Sequence, residues 1–184
     1  MNKIAWRIAG LLLLAGWLAA CASPRPIEVK TIPPAYFQVP RAAHWRQYLG
    51  LRPVAGEFTL NDIKARVVVV EVFQVDCPHC QDEVPYVNRF YHLLQQKGLS
   101  EQVKIIGVGT GNTAAQLDVY QRHYGIPFPL FPDPKMVKID VDVIPAFFVI
   151  EPTPAGGRVL YAQYGPLPEE ERFLQLIKER AGLP

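Results

Sequence analysis

The stretch VVVVEVFQVDCPHC, residues 67–80, decides the fold of this 184-residue chain. Its first half is an almost continuous β-branched run, which is expected of a strand that is buried on both faces of a parallel sheet. Two cysteines follow three positions apart, so a helix that begins at the first one places the thiols one turn apart. This arrangement on a strand-to-helix turn predicts a reversible disulfide.

Strands and helices alternate on both sides of this stretch. The apolar spacing predicts helices over 44–49, from Cys77 to about Gly98, over 113–124 and from Pro168 onward, and strands over 57–60, 67–73, 103–108, 146–150 and 159–163. From residue 67 onward the order is β-α-β-α-β-β-α. This order predicts an α/β fold in which a mixed central sheet is flanked by helices on both faces.

Cys77 is predicted to be the attacking nucleophile. It opens a helix, where unpaired backbone N–H groups and the positive end of the helix dipole favour thiolate over thiol. Cys80 lies one turn further in and is expected to be buried, from where it resolves the mixed disulfide. A static disulfide is one alternative, but so short a loop does little to restrain the unfolded chain. A zinc site is another, but one cysteine pair supplies only two ligands.

Two ionisable residues close to the cysteines are candidates for tuning them. His79, when protonated, stabilises the neighbouring thiolate and makes the disulfide more oxidising; the alternative is a solvated loop residue. Glu71 is a carboxyl group inside an otherwise apolar strand, so burial is expected to raise its pKa. A raised pKa suits a proton shuttle for Cys80. The alternative is an edge-strand acid that points to water.

The N-terminus predicts a bacterial secretion signal over residues 1–20. Lys3 and Arg7 precede an apolar stretch, residues 8–18, that is shorter than the roughly 20 residues a membrane-spanning helix needs. The tetrapeptide Leu-Ala-Ala-Cys that ends at Cys21 resembles the lipobox of bacterial lipoproteins. The resemblance implies that this cysteine becomes the lipidated mature N-terminus. The remaining two cysteines then form the disulfide, in a compartment where disulfides persist.

Charge and composition favour one domain on a tether. The formal net charge is +2, and the signal carries two of the basic residues and no acidic one, so the mature chain is neutral. Nothing in this balance favours a nucleic-acid partner. Five prolines between Ala22 and Pro40 predict an extended spacer. The predicted division is a signal over 1–20, a lipidated N-terminus and Pro-rich tether over 21–53, and one domain over 54–184.

Four features besides the cysteine pair match a known family. Glu71 lies six residues before Cys77 and Pro85 eight residues after it, where thioredoxins have a buried acid and a helix-kinking proline. The pattern Cys-x-x-Cys-x-x-Glu-x-Pro over 77–85 and the segment Ile-Pro-Ala-Phe-Phe over 144–148 are the other two. Together these features resemble the thioredoxin fold, and most of all the membrane-tethered TlpA/ResA-type thiol–disulfide oxidoreductases of bacterial envelopes.

The resemblance covers roughly residues 54–182 and implies roles for further residues. Pro145 is expected to follow a cis peptide bond and to face the disulfide. Ile144 and Pro78 are then expected to contact the substrate chain. Glu83 is expected to tune the thiol pKa values, and its alternative is an ordinary exposed helix acid. No metal or organic cofactor is implied.

The active-site tetrapeptide favours an oxidase, whereas the rest of the domain favours a reductase. The tetrapeptide Cys-Pro-His-Cys also occurs in DsbA-type oxidases, but 68 residues separate Cys77 from Pro145, too few for the large helical insertion of that family. We therefore expect an envelope thiol–disulfide oxidoreductase that acts on protein disulfides, with reductase favoured over oxidase. Its expected partners are envelope client proteins with thiols or disulfides and an unidentified redox donor or acceptor protein.

The predicted location is the periplasmic side of a membrane, held by the lipid on Cys21. Ala22 and Ser23 lack the aspartate that often retains lipoproteins in the inner membrane, so the outer membrane is favoured. Two other functions stay open. A peroxiredoxin-like peroxidase would need a threonine near the nucleophile, where the chain has Gln-Val-Asp at 74–76. A copper-delivery lipoprotein would need wider cysteine spacing and a distant histidine, for which His123 is the downstream candidate.

Overall fold

The structure, a computed structural model, describes residues 25–26, 29–52 and 56–184. The predicted signal and Cys21 lie outside these residues, so lipidation stays a prediction. Among the described helices, none combines the length and the apolar character needed to cross a membrane.

The elements follow the predicted alternation. In chain order they are β1 (Arg25–Pro26), β2 (Thr31–Ile32), β3 (Phe37–Gln38), α1 (Ala43–Leu49), β4 (Glu57–Phe58), β5 (Val67–Phe73), α2 (Pro78–Gln96), β6 (Val103–Thr110), α3 (Ala114–Tyr124), β7 (Leu130–Asp133), β8 (Ala146–Thr153), β9 (Gly156–Tyr164) and α4 (Glu170–Ala181). A single 3₁₀ turn over Leu60–Asp62 leads towards β5.

The main sheet has seven strands and is mixed. Its strand order is β1-β9-β8-β5-β6-β7, and β2 also pairs with β9. β5 runs parallel to β6 and antiparallel to β8, while β8 and β9 form the predicted hairpin. Every residue of β5 is buried, because the strand lies inside the sheet and both faces are covered. The predicted α/β class with a mixed central sheet is confirmed.

Different helices and strands pack on the two faces of the sheet. Alternation along β5 sends Val69 and Phe73 to one face, where they join a core formed with α2, α3 and α4. Val68 and Val70 point to the opposite face, into a second core that includes Leu49 of α1 and the strands β3 and β4. Helices therefore lie on both faces, with the three longer ones together on the face that carries the cysteines.

Part of the predicted tether is packed onto the domain. β1 and β2 pair with β9, and β3 pairs with β4 in a separate two-stranded sheet. Ile32, Ala35 and Phe37 are buried in the second core. The prediction of an extended spacer is wrong for these residues, because their side chains are buried in the domain. The sequence did not indicate this packing, since isolated apolar side chains among prolines show no periodicity. Prolines are compatible with edge strands, which leave one side without a hydrogen-bonded neighbour.

Two further boundaries differ from the predictions. β7 was not among the predicted strands. It contains Pro132, which a strand at the edge of the sheet tolerates. The last helix begins at Glu170 rather than at Pro168. Glu169 caps it, since its carboxylate accepts hydrogen bonds from the backbone N–H groups of the first turn.

Candidate active site

Cys77 lies at the start of α2 as its N-cap residue. Its backbone is extended, with φ −80° and ψ 113°, and the helix begins at Pro78, which has no N–H to leave unpaired. The backbone N–H of Cys80 donates a hydrogen bond to the Cys77 Sγ at 3.2 Å. The sulfur therefore takes the place of the usual capping oxygen, at the positive end of the helix.

Cys80 has a different environment although it is only one turn away. Its side chain is fully buried, whereas Cys77 is half-buried, and neither is in a disulfide in this structure. Burial and then hydrogen bonding to Cys77 raise the pKa of the Cys80 thiol well above its usual range. Cys80 therefore keeps its proton at neutral pH unless a base removes it.

Glu71 lies in the middle of the sheet beneath this turn. It is 5% exposed, and its neighbours across the sheet are Gly107 of β6 and Phe147 of β8. Alternation with Val69 and Phe73 directs it to the face that carries α2. Burial, followed by the charge of Glu83, raises the pKa of Glu71 to about 8. The alternative of an edge-strand acid in water is wrong.

Glu83 is buried on the turn after Cys80, so it is not an ordinary exposed acid. Its Oε2 accepts a hydrogen bond from the backbone N–H of Leu167 at 2.9 Å, which ties α2 to the segment before α4. Burial raises its pKa, and the Leu167 hydrogen bond opposes that shift. The charge of Glu83 contributes to the raised pKa of Glu71, and tuning of the thiol pKa values by Glu83 stays a prediction.

Pro145 follows a cis peptide bond with Ile144, as predicted. Ala146, the next residue, opens β8 and pairs with Val72 near the end of β5. Pro145 therefore lies at the same end of the sheet as the turn that leads to Cys77. Ile144 is half-buried and packs against both cores.

Pro78 and His79 are exposed on the first turn of α2. Both are therefore accessible to a client, and their roles stay predictions. The structure thus brings together Cys77, Cys80, Glu71 and, at the same end of the sheet, Pro145.

Sequence reasoning missed two residues that hold the backbone before Cys77. Asn112 Oδ1 accepts from the Val75 N–H at 3.0 Å, and Gln81 Nε2 donates to the Val75 carbonyl at 2.8 Å. Asn112 is 37 residues away in sequence, so no local pattern connects it to the cysteines. The pair Gly111-Asn112 signals only a turn.

The described residues contain no group of three or more His, Cys, Asp or Glu side chains that could hold a metal ion. His123, the candidate ligand for copper, lies exposed on α3 with its ring 4.6 Å from that of Tyr124. The donor set that copper delivery would need is thus not brought together in this part of the chain.

Fold and site together define a thioredoxin-like protein with a Cys-x-x-Cys pair. Residues 46–153 match the sequence model of the AhpC/TSA family, and the chain belongs to that family. The thiol-disulfide oxidoreductase ResA of Geobacillus kaustophilus (strain HTA426) is 26% identical over 127 residues, which cover 66% of this chain and 69% of that protein. ResA of Bacillus subtilis (strain 168) is 27% identical over 124 residues, 65% of each chain.

Solved structures show the same fold. The crystal structure of StoA from Bacillus subtilis matches with a TM-score of 0.56 and 18% identity, covering 79% of this chain and 98% of that one. A thiol:disulfide interchange protein of the thioredoxin family from Chlorobium tepidum TLS matches with a TM-score of 0.55 and 20% identity, covering 85% of this chain and 100% of that one. The predicted resemblance and the predicted enzyme class, thiol–disulfide oxidoreductase, are confirmed.

Proposed function

We propose that this protein exchanges disulfides with client proteins of the bacterial envelope through Cys77 and Cys80, and that it acts as a reductase. The observation that carries the proposal is the asymmetry of the two thiols, since one caps α2 and the other is buried above Glu71. The relatives named thiol-disulfide oxidoreductase ResA support the exchange of disulfides. The span of 68 residues between Cys77 and Pro145, too short for the helical insertion of DsbA-type oxidases, supports the direction.

The reaction follows from that asymmetry. The Cys77 thiolate attacks a client disulfide, forms a mixed disulfide and releases one client sulfur, which takes up a proton. Cys80 then gives its proton to the Glu71 carboxylate and attacks the Cys77 Sγ. The second client sulfur leaves and is protonated. The client gains two electrons and two protons, the protein keeps a Cys77–Cys80 disulfide, and a redox donor protein must reduce it for the next cycle.

The assignment of nucleophile and resolver is tested by trapping. Cys80→Ala removes the resolver, so mixed disulfides with clients accumulate on Cys77; Cys77→Ala does not accumulate them. Non-reducing gels followed by mass spectrometry read out the adducts, and the double variant is the control. Equal trapping by Cys77→Ala would show that the roles are assigned wrongly.

The direction is tested by the reduction potential of the Cys77–Cys80 pair. A reductase is expected near the thioredoxin value of about −270 mV, moved upward by His79. A value near that of DsbA, about −120 mV, would replace the reductase with a disulfide-forming oxidase of the same fold.

We further propose that the protein is anchored by a lipid on Cys21 and faces the periplasm, with the outer membrane favoured. The lipobox-like tetrapeptide and the absence of aspartate after Cys21 support this location. Cys21→Ser is expected to block processing at this position or to release the domain from the lipid-anchored membrane fraction. Normal processing and normal membrane retention of the variant would contradict the anchor.

A further inference from the structure

The backbone N–H and the backbone carbonyl of Val75 are each hydrogen-bonded to a side chain. Val75 lies between β5 and α2, two residues before Cys77, where neither strand nor helix provides backbone partners. Its N–H donates to Asn112 Oδ1 at 3.0 Å, and its carbonyl accepts from Gln81 Nε2 at 2.8 Å. Two side chains thus satisfy backbone groups that regular structure would otherwise pair.

Asn112 is held in place by the loop after β6. It is 4% exposed, and its own N–H donates to the Gly109 carbonyl at 3.1 Å. A Cβ at Gly109 would lie 3.2 Å from the Asn112 Cβ and 2.5 Å from Leu117 Cδ2, so only glycine leaves room for this arrangement. Gly111 has φ +72°, which side chains rarely adopt. The backbone of this loop therefore fixes the Asn112 amide against Val75.

Gln81 connects the Val75 carbonyl to the helix. Its backbone N–H donates to the Cys77 carbonyl at 3.1 Å, as in the first turn of a helix, while its side chain reaches back to Val75. The Cys77 N–H in turn donates to the Gln74 carbonyl at 3.3 Å. The hydrogen bonds to Gln74 and Val75 thus connect the segment before Cys77 to α2 and to the loop after β6.

We propose that Asn112 and Gln81 are positioning residues for the exchange reaction. They hold the N–H and the carbonyl of Val75, which belong to the peptide groups before and after its Cα, and thereby fix the turn that presents the Cys77 sulfur at the start of α2. The inference rests on the proposed function, in which Cys77 is the nucleophile. Attack on a disulfide requires alignment of the sulfurs, and a displacement of about 1 Å can cost a large factor in rate.

The test measures the rate at which Cys77 reacts with a small aromatic disulfide, 5,5′-dithiobis(2-nitrobenzoate), in a Cys80→Ala background. Asn112→Ala and Gln81→Leu are each expected to slow the reaction by about tenfold, the size of one hydrogen bond of about 1.4 kcal/mol. Asn112→Asp keeps an oxygen acceptor and is expected to restore most of the rate. Gln95→Leu, exposed on the same helix, is the matched control and is expected to leave the rate unchanged.

A double-mutant cycle separates positioning from a general loss of structure. Because Asn112 and Gln81 hold the two backbone groups of the same residue, Val75, the combined variant is expected to be slower by less than the product of the two single effects. Urea unfolding of each variant ensures that rates are compared on folded protein. Should Asn112→Ala fail to fold, Gln81→Leu carries the test, because it removes only the amide group of a half-buried side chain.

Single-variant rates within about twofold of the parent, or an Asn112→Asp rate as low as that of Asn112→Ala, would overturn the positioning role. These outcomes differ from a failure of the proposed function. If the Cys80→Ala parent itself shows no reaction at Cys77, the nucleophile assignment fails, whatever the positioning variants do.

Discussion

The site has a solvent-accessible rim and a buried floor, each with one cysteine, and the two differ in solvent exposure and in the ionisable groups beside that cysteine. The rim is Cys77, Pro78 and His79, and the floor is Cys80 and Glu71 together with Glu83. Cys77 caps the helix and reaches solvent, whereas Cys80, one turn later, is completely buried. Identical side chains thus have different surroundings, and the proposed reaction assigns attack to Cys77 and resolution to Cys80.

The floor differs from the rim in how it holds protons. Burial raises the pKa values of Cys80, Glu71 and Glu83, so their protonated forms persist to higher pH than in water. The pKa of Glu71, about 8, lies close to neutral pH. In the proposed reaction, Glu71 takes a proton from Cys80 and releases it again.

Glu71→Gln is expected to have the largest effect on stability. The pKa of Glu71 is about 8 in the folded protein and near 4.5 ordinarily, so between these values the folded state binds more protons than the unfolded state. Its stabilising contribution is complete below about pH 4.5 and is lost as the pH rises to about 8, by on the order of a few kcal/mol. Glu71→Gln should abolish this loss.

Urea unfolding of the reduced protein at about pH 5 and about pH 8 measures the effect. Glu179→Gln, exposed on α4, serves as the control and should behave like the parent. If the parent and Glu71→Gln lost the same stability between the two pH values, the raised pKa of Glu71 would not be the cause of the loss.

Glu83 provides a smaller and separable test of the floor. Glu83→Ala leaves the N–H of Leu167 without its acceptor and is expected to cost about 1–3 kcal/mol in unfolding free energy. Glu83→Gln keeps an acceptor oxygen but removes the charge that raises the pKa of Glu71. The loss of stability that comes from Glu71 should therefore be complete at a lower pH in Glu83→Gln than in the parent. An unchanged pH profile in this variant would show that the two carboxyl groups are not coupled.

His79→Ala tests whether the rim stabilises the Cys77 thiolate. Its expected effect, on the reduction potential, is the smallest of those predicted. A protonated histidine stabilises the Cys77 thiolate, hence the reduced state, so its removal should lower the reduction potential by about 30 mV or less. Equilibration with glutathione measures the potential, and His92→Ala, exposed further along α2, is the control. A potential that did not move would leave His79 as a solvated residue of the loop.

The parts of the site that were predicted from the sequence depend on local patterns. The apolar run of β5, the proline after Cys77 and the Ile144-Pro145 pair each carry their signal within a few residues. Burial of Glu71 followed from its apolar neighbours in the same strand. Such features are readable because strand, turn and helix start are set by adjacent residues.

The remaining parts depend on contacts between distant segments. Asn112 meets Val75, and Leu167 donates to Glu83 from 84 residues away. Phe37 is buried against Phe58 and Phe131, with ring centroids 5.6 Å and 5.1 Å away, although its flanking prolines indicate a spacer. Contacts of this kind depend on how the sheet brings distant segments together. No local pattern in the sequence indicates them.

Alkylation of the reduced protein tests the contrast between rim and floor most directly. Brief treatment with iodoacetamide near neutral pH, followed by mass spectrometry of peptides, gives the labelling rate of each thiol. The structure predicts that Cys77 is labelled first and that Cys80 stays unmodified until urea unfolds the domain. Equal labelling of Cys80 in the folded protein would contradict the assignment of an exposed nucleophile and a buried resolver.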